Sequence, residues 1–147
     1  MNKNGFPSIL LIEDNRADID LLKQSLNLLK LDINLFVITN GFQVMDLLRN
    51  NGIYKGLPKP DLIILDINLP GKSGFEILEE IRNDNSFADT PVVILTSSNY
   101  EGDIVLSSKL KADAFFSKPS DFFEFNSLIK SIVDSWLKIK LNPKNSL

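Results

Sequence analysis

The most constraining feature of this sequence is an uninterrupted apolar run, Leu62 to Leu65, that ends at an aspartate, Asp66. Four consecutive aliphatic residues without a polar break are typical of a strand that is buried on both faces of a parallel sheet. Pro70 and Gly71 follow and predict a turn. A buried strand therefore delivers one carboxylate to the carboxyl edge of a sheet, where open α/β sheets bind their ligands.

Further apolar runs predict strands, and the amphipathic segments between them predict helices. The five predicted strands lie at residues 8–12, 33–38, 62–65, 91–95 and 112–116. Helix-capping patterns begin at Asn15, Ser73 and Ser98, and the last helix is predicted from Ser120 to about Ile139. Strict alternation of strands and helices predicts a single α/β domain: a doubly wound parallel sheet with helices on both faces.

The predicted strand ends carry acidic, hydroxyl and amino side chains. Glu13 and Asp14 follow the first strand, Asp66 follows the third, Thr96 follows the fourth, and Lys118 lies just after the fifth. Because the carboxyl ends of parallel strands lie on one edge of the sheet, we expect these side chains to converge there.

Three carboxylates in one crevice predict a metal site. Two carboxylates about 4 Å apart repel by roughly 4 kcal/mol at an intermediate dielectric, and a divalent cation relieves that repulsion. An oxygen-only site with room for water favours Mg²⁺. We expect Asp14 and Asp66 to bind the ion directly or through water, Glu13 to lie mainly in its outer shell, and a backbone carbonyl near Asn68 to complete the protein ligands.

With a metal ion in place, Asp66 is predicted to act as a nucleophile towards phosphorus. Phosphoryl transfer mainly requires positioning and neutralisation of the phosphoryl oxygens. The Lys118 ammonium can contact one of these oxygens and the Thr96 hydroxyl can hydrogen-bond another. Each residue alone is more often an ordinary turn, strand-end or surface residue. Their occurrence together at separate strand ends is what predicts an acyl-phosphate site.

The composition excludes several kinds of function. The chain has no histidine and no cysteine, so it lacks the usual general base, disulfides and thiolate metal ligands. If the chain handles a phosphohistidine, another protein must supply it. The formal net charge of −3 and the lack of long basic runs do not indicate nucleic-acid binding. No apolar run is long enough to cross a membrane or to form a secretory signal. A cytoplasmic location is expected, and the lack of cysteine fits it.

Order, spacing and residue type together resemble the receiver domain of two-component response regulators over essentially the whole chain. The matching segments are residues 9–15, 65–76, 93–97 and 114–119. The resemblance implies a flavodoxin-like topology with strand order 2-1-3-4-5. It also implies one receiver domain over residues 1–147, with a core at about 7–139, short tails and no output domain. The loop at 51–60, the stretch at 100–104 and the long last helix resemble stand-alone receivers that serve bacterial phytochrome-type kinases.

The same resemblance implies roles for the residues at the predicted edge. Asp66 would accept a phosphoryl group from a phosphohistidine on a sensor histidine kinase, with Glu13 and Asp14 in the Mg²⁺ site. Lys118 would contact the phosphate, and Thr96 would be the switch hydroxyl. The protein would catalyse only its own phosphorylation and dephosphorylation.

Phosphorylation is expected to alter the surface formed by the fourth helix, the fifth strand and the fifth helix. The resemblance places Phe115 at the position of the aromatic residue that changes conformation in receivers. The alternative is that Phe115 is a core residue that stays buried. The last helix carries a broad apolar stripe that includes Phe122, Phe125 and Trp136. One apolar face of a helix suffices to cover a sheet, so the additional apolar residues predict a homodimer through this surface. The alternative is that the whole stripe belongs to the core.

Three other assignments compete with the receiver. A haloacid dehalogenase-type phosphatase also uses an aspartate after a buried strand, but it needs a second acid where this chain has Asn68, and it leaves Glu13 and Asp14 unexplained. A flavodoxin-like flavin module must cradle a phosphate in its first loop, where those two acids would repel it. A receiver fold that signals without phosphate is disfavoured because the acids, the hydroxyl and the lysine are all intact.

Overall fold

The computed structural model describes residues 5–137. In this range, five parallel strands form one sheet in the order β2-β1-β3-β4-β5, as the resemblance implied. The strands are β1 Ser8–Ile12, β2 Asn34–Ile38, β3 Leu62–Leu65, β4 Val92–Thr96 and β5 Ala114–Ser117.

Helices connect the strands and cover both faces of the sheet. They are α1 Arg16–Leu28, α2 Val44–Leu48, α3 Gly74–Asn83, α4 Glu101–Lys109 and α5 Phe122–Ile132. The 3₁₀ turn Gly41–Gln43 leads into α2, the 3₁₀ turn Gly52–Tyr54 follows it, and the π-helical turn Val133–Leu137 continues α5. Within residues 5–137, no helix is both long and apolar enough to span a membrane.

The central strands β1, β3 and β4 are buried on both faces, which explains their unbroken apolar runs. Alternate residues of a strand point to opposite faces, so the strands build two separate cores. Leu10 and Ile63 pack with side chains of α2 and α3, whereas Ile9 and Ile64 pack with side chains of α1 and α5. The edge strands β2 and β5 are only partly buried.

Two of the three predicted helix caps are formed as expected. The Asn15 side chain accepts a hydrogen bond from the backbone N–H of Asp18 at 3.0 Å. The Ser73 hydroxyl accepts one from the backbone N–H of Glu76 at 3.3 Å. These caps satisfy N–H groups that have no partner inside the helix, and so they fix where α1 and α3 begin.

The predicted capping box at Ser98 is wrong. The backbone of Tyr100 is still extended, with ψ of 126°, so α4 begins at Glu101, two residues too late for Ser98 to cap it in that pattern. The Ser98 hydroxyl instead donates to the Asp103 carboxylate at 2.6 Å and accepts from the Tyr100 N–H at 3.3 Å. Ser98 therefore holds the loop before α4 and does not cap the N-terminus of that helix.

The apolar stripe of the last helix is largely core, which corrects part of the predicted dimer surface. Phe125 is 2% exposed and packs in the core that α1 and α5 share, so it is not available to a partner. Trp136 is half-buried against the same core. Phe122 is 42% exposed and stays a surface residue. The predicted end of the helix at about Ile139 and the predicted tails lie outside the described residues.

Candidate functional site

Backbone hydrogen bonds hold the predicted site residues at one edge of the sheet. The N–H of Asp66 donates to the carbonyl of Ile12 at 3.0 Å, and the N–H of Lys118 donates to the carbonyl of Thr96 at 2.7 Å. These bonds extend the pairing of β1 with β3, and of β4 with β5, beyond the strand ends. The polar side chains that follow the strands are therefore held next to one another.

Asp66 is buried, and both of its carboxylate oxygens have donors. Oδ1 accepts from the backbone N–H of Asn68 at 2.9 Å and from the Thr96 hydroxyl at 2.8 Å, and Oδ2 accepts from the Lys118 ammonium at 2.9 Å. Burial alone would raise the pKa of Asp66, but the bonds from Asn68, Lys118 and Thr96 bring that pKa below its ordinary value. Asp66 is therefore ionised at neutral pH and held in one orientation.

The Lys118 ammonium contacts three carboxylates. Its distances are 2.5 Å to Glu13 Oε1, 2.7 Å to Asp18 Oδ2 and 2.9 Å to Asp66 Oδ2. Burial alone would lower the pKa of Lys118, but the bonds to Asp18, Glu13 and Asp66 raise it above its ordinary value. Sequence reasoning missed Asp18 as a site residue. The available signal was its place in the first turn of α1, which begins at the same edge as Glu13.

The three predicted acids form a cluster that can hold a divalent metal ion. Glu13, Asp14 and Asp66 each offer a carboxylate oxygen, and these oxygens lie within 4.8 Å of one another. Glu13 and Asp66 are buried and Asp14 is exposed, so the cluster combines two fixed ligands with an open side for water. Burial raises the pKa of Glu13 from 4.5 to about 7, opposed mainly by its bond to Lys118. A cation bound beside Glu13 would favour its ionised form.

Asn68 makes contacts that the sequence did not predict. In addition to the bond from its backbone N–H to Asp66, its side-chain amide donates to the Thr96 hydroxyl oxygen at 3.3 Å. The same oxygen accepts from the backbone N–H of Ser98 at 3.4 Å. Asn68 thus orients the hydroxyl that faces Asp66, and the role of its carbonyl as a metal ligand stays a prediction.

Gly74 permits α3 to approach the loop that follows Asp66. A Cβ atom on Gly74 would lie 2.5 Å from the Cα of Ile67 and 2.6 Å from the carbonyl oxygen of Asp66. Real Cβ atoms do not approach backbone atoms so closely, so only glycine fits this position without movement of the chain. The first turn of α3 is therefore packed directly against the backbone of the site.

The predicted switch aromatic Phe115 lies on the edge strand β5 and is half-buried against the core that contains α2 and α3. The neighbouring Ser117 hydroxyl donates to the carbonyl of Ser98 at 2.9 Å. Since the Ser98 N–H also donates to Thr96, a chain of hydrogen bonds runs from Asp66 through Thr96 to β5. Whether Phe115 moves along this route stays a prediction.

Comparisons with known proteins agree with this geometry. Residues 9–130 match the response regulator receiver domain family. The chain is 35% identical to the response regulator Rcp1 of Synechocystis sp. over 135 residues, which are 92% of each chain. The fold superposes on the phosphorylated cyanobacterial phytochrome response regulator RcpA with a TM-score of 0.86, at 34% identity over 95% of this chain and 99% of that one. The Mn²⁺-bound form of Rcp1 gives a TM-score of 0.84, at 34% identity over 93% and 99% of the two chains.

The match spans every element that carries a site residue, from β1 to the first part of α5. It does not support the alternative assignment as a haloacid dehalogenase-type phosphatase. The position two residues after Asp66, which that class of enzyme needs as an acid, here holds the Asn68 amide that bonds Thr96. The chain therefore belongs to the response regulator receiver domain family, and it is a phosphoryl-accepting response regulator.

Proposed function

We propose that Asp66 accepts the phosphoryl group from a phosphohistidine of a sensor histidine kinase, with Mg²⁺ bound beside it. The observation that carries this proposal is the pair of donors on Asp66: the Lys118 ammonium at 2.9 Å and the Thr96 hydroxyl at 2.8 Å. The same two groups can hold phosphoryl oxygens once one carboxylate oxygen belongs to an acyl phosphate. The lowered pKa of Asp66 keeps it in the anionic form that a nucleophile requires.

In the proposed transfer, a carboxylate oxygen of Asp66 forms a bond to phosphorus while the P–N bond of phosphohistidine breaks. The electron pair of that bond stays on the imidazole nitrogen, which leaves with the donor protein. Lys118 donates to one phosphoryl oxygen and Thr96 to another, and these bonds offset the negative charge of the transferred group. No general base is needed because the attacking carboxylate carries no proton.

We infer that the metal ion is Mg²⁺ and that Glu13, Asp14, Asp66 and the carbonyl of Asn68 hold it. When bound, the ion supplies positive charge that neutralises phosphoryl oxygens. The all-oxygen donor set with an open side favours Mg²⁺ over softer metals. The Mn²⁺-bound structure of the relative Rcp1 supports a divalent ion in this family.

Labelling by a small phosphodonor tests this assignment. Phosphoramidate with Mg²⁺ is expected to add the mass of one phosphoryl group to the wild-type protein and none after chelation of the metal by EDTA. Asp66→Asn is expected to remain unlabelled, whereas Asp32→Asn, which removes an exposed acid between α1 and β2, is expected to label like wild type. Equal labelling of the wild type and Asp66→Asn would contradict the assignment of the phosphoacceptor.

We propose that the donor kinase is of the phytochrome type. The chain has no histidine, so the phosphohistidine belongs to a partner. A relative that superposes with a TM-score of 0.86 is a cyanobacterial phytochrome response regulator, which supports this choice of partner. Phosphotransfer from a purified phytochrome-type kinase is expected to be faster than from an unrelated sensor kinase at equal concentration. Equal rates from the two kinases would contradict the choice.

We propose that phosphorylation alters the surface formed by α4, β5 and α5, with Thr96 and Phe115 as the switch. Thr96 bonds both Asp66 and the Ser98 N–H, and Ser117 bonds the Ser98 carbonyl. A movement of Thr96 towards the phosphate would therefore shift the loop before α4 and the end of β5. The ring signals of Phe115 in NMR spectra are expected to change when beryllofluoride and Mg²⁺ are added, and unchanged signals would contradict the role of Phe115.

We propose that a second copy of this chain covers the exposed apolar side chains of α4 and α5. These helices precede and follow the edge strand β5. Apolar patches of this kind on both helices match one another in a two-fold symmetric dimer. Of the predicted dimer residues, Phe122 and the half-buried Trp136 remain candidates, and Phe125 does not. The exposed apolar residues are Ile104, Val105, Leu106, Phe122 and Phe123.

Sedimentation measures the proposed dimer directly. The wild type is expected to associate with rising concentration, and Phe123→Ser, which removes a 75% exposed ring from α5, is expected to weaken that association. Ile53→Ser is the matched control, because Ile53 is 87% exposed in the 3₁₀ turn Gly52–Tyr54. A wild type that stays monomeric at high concentration, with and without beryllofluoride, would remove the dimer.

A further inference from the structure

The Asp18 carboxylate is a fourth acidic group at the site, beyond the phosphoacceptor and the two acids after β1. It lies on the first turn of α1 and accepts a hydrogen bond from the Lys118 ammonium at 2.7 Å. The side chain of Asp18 is 27% exposed and that of Lys118 is 10% exposed. Because the Asn15 side chain caps the backbone N–H of Asp18 at 3.0 Å, the helix end fixes the backbone that carries this carboxylate.

The three carboxylate partners of Lys118 behave differently when Asp66 is phosphorylated and the metal ion is bound. An ammonium group has three N–H donors, and those of Lys118 face Glu13, Asp18 and Asp66. On phosphorylation Asp66 becomes an acyl phosphate. Glu13 belongs, with Asp14, to the cluster that can hold the metal ion, whereas Asp18 is outside that cluster. Asp18 is therefore the one partner that can stay on the ammonium throughout the cycle.

We propose that Asp18 is a positioning residue that holds the Lys118 ammonium where it contacts the phosphoryl group. This role rests on the proposed function of the site. Without Asp18, Glu13 is the one carboxylate partner that Lys118 keeps once Asp66 is phosphorylated, so the ammonium competes more strongly with the metal ion for Glu13. The bond to Asp18 also helps to keep the pKa of Lys118 above its ordinary value against the opposing effect of burial.

Binding of beryllofluoride, a mimic of the phosphoryl group, tests this role. Its dissociation constant in the presence of Mg²⁺ is measured by ¹⁹F NMR. Asp18→Ala is expected to weaken binding about tenfold, the scale of one charge-assisted hydrogen bond. Asp18→Asn is expected to recover part of the loss because its amide oxygen can still accept from Lys118. Asp20→Ala removes an exposed acid from the same helix and makes the same change in net charge, so it is expected to bind like wild type.

A double-mutant cycle separates positioning of the lysine from a general effect of charge. In a Lys118→Met background, Asp18→Ala is expected to cause no further loss of binding. An equal loss with and without the lysine overturns the positioning role, and so does unchanged or tighter binding by Asp18→Ala in the wild-type background. If Asp18→Ala does not fold, Asp18→Asn takes its place in the cycle.

Two observations distinguish failure of this role from failure of the site as a whole. A wild type that binds no beryllofluoride and takes no label from phosphoramidate overturns the proposed function and the role of Asp18 together. If the wild type binds beryllofluoride and is labelled by phosphoramidate, and Asp18→Ala does both equally well, only the role of Asp18 is overturned. Equal thermal unfolding of Asp18→Ala and Asp20→Ala, together with the tenfold difference in binding, supports positioning.

Discussion

The Thr96 hydroxyl connects Asp66 to the loop that precedes α4. It donates to Asp66 Oδ1 at 2.8 Å, while its oxygen accepts from the Asn68 amide at 3.3 Å and from the Ser98 N–H at 3.4 Å. Thr96 is 0% exposed, so water cannot readily replace these contacts. One buried hydroxyl therefore holds together the Asp66 carboxylate, the Asn68 side chain and the backbone at Ser98.

Thr96→Val is expected to separate ligand binding from the response of α4. Valine has nearly the shape of threonine but no hydroxyl, so the carboxylate loses a donor and two N–H groups lose their acceptor. We expect the free energy of unfolding to fall by about 1 to 3 kcal/mol. Beryllofluoride should still bind through Lys118 and the metal ion, but the amide NMR shifts of residues 98–109 should respond less. Thr96→Ser keeps the hydroxyl and should respond like wild type, and a full response in Thr96→Val would contradict this link.

Much of this arrangement follows from the topology alone. Once the runs before Glu13 and Asp66 are recognised as parallel strands, their ends must lie on one edge of the sheet. The structure brings both acids and Asp14 within 4.8 Å, and Lys118 reaches the same place from β5. Strand ends are predictable because a short apolar run that is bounded by polar and turn residues is typical of a strand at the buried centre of a sheet.

The contacts from helices and loops were not predictable in the same way. Whether Asp18 faces Lys118 depends on the rotation of α1 about its axis, which the packing of its apolar face decides. Phe122, Phe123 and Phe125 lie within about one helical turn, and the sequence does not say which ring meets α1. Only Phe125 does, because the core side of α5 continues through Ile129.

Gly74→Ala is expected to damage the site through packing. Its Cβ would lie 2.5 Å from the Cα of Ile67 and 2.6 Å from the carbonyl oxygen of Asp66, so backbone would have to move. We expect a loss of about 1 to 3 kcal/mol in the free energy of unfolding, measured by urea denaturation. We also expect slower labelling by phosphoramidate, because the segment that moves carries Asp66.

Gly102→Ala is the matched control for that substitution. Gly102 also lies in the first turn of a helix, but the three atoms nearest to its added Cβ all belong to the ring of Tyr100, which is 69% exposed and can turn away. Alanine favours the helix by up to about 1 kcal/mol over glycine, so stability should be unchanged or slightly higher. Equal losses in the two variants would show that the contact with the Asp66 backbone is not what makes Gly74 necessary.

The metal-free protein is expected to show a pH dependence that Glu13→Gln removes. The pKa of Glu13 is about 7 in the folded chain against an ordinary value of 4.5, mainly because of burial. The folded chain therefore binds this proton more tightly than the unfolded chain does. The resulting stabilisation is complete below about pH 4.5 and is lost as the pH rises through 7.

Glutamine resembles the protonated glutamate at every pH, so Glu13→Gln should gain stability relative to wild type as the pH rises from 5 to 8. Urea denaturation in EDTA at several pH values measures this difference. Asp32→Asn removes an exposed acid and should keep a constant difference from wild type over the same range. A Glu13→Gln variant that runs parallel to wild type would show that burial does not raise this pKa.

Phe125 and Phe123 are two residues apart on α5, and their substitution is expected to have opposite consequences. Phe125 is 2% exposed in the core that α1 and α5 share, so Phe125→Ala leaves a cavity and should lower the free energy of unfolding by about 3 to 5 kcal/mol. Phe123 is 75% exposed, so Phe123→Ala should change the free energy of unfolding by no more than about 0.5 kcal/mol. Urea denaturation at a concentration where the protein is monomeric measures both effects. Similar losses in the two variants would mean that the broad apolar stripe of α5 is buried on both sides, and the surface assigned to a partner would then have to lie on α4 alone.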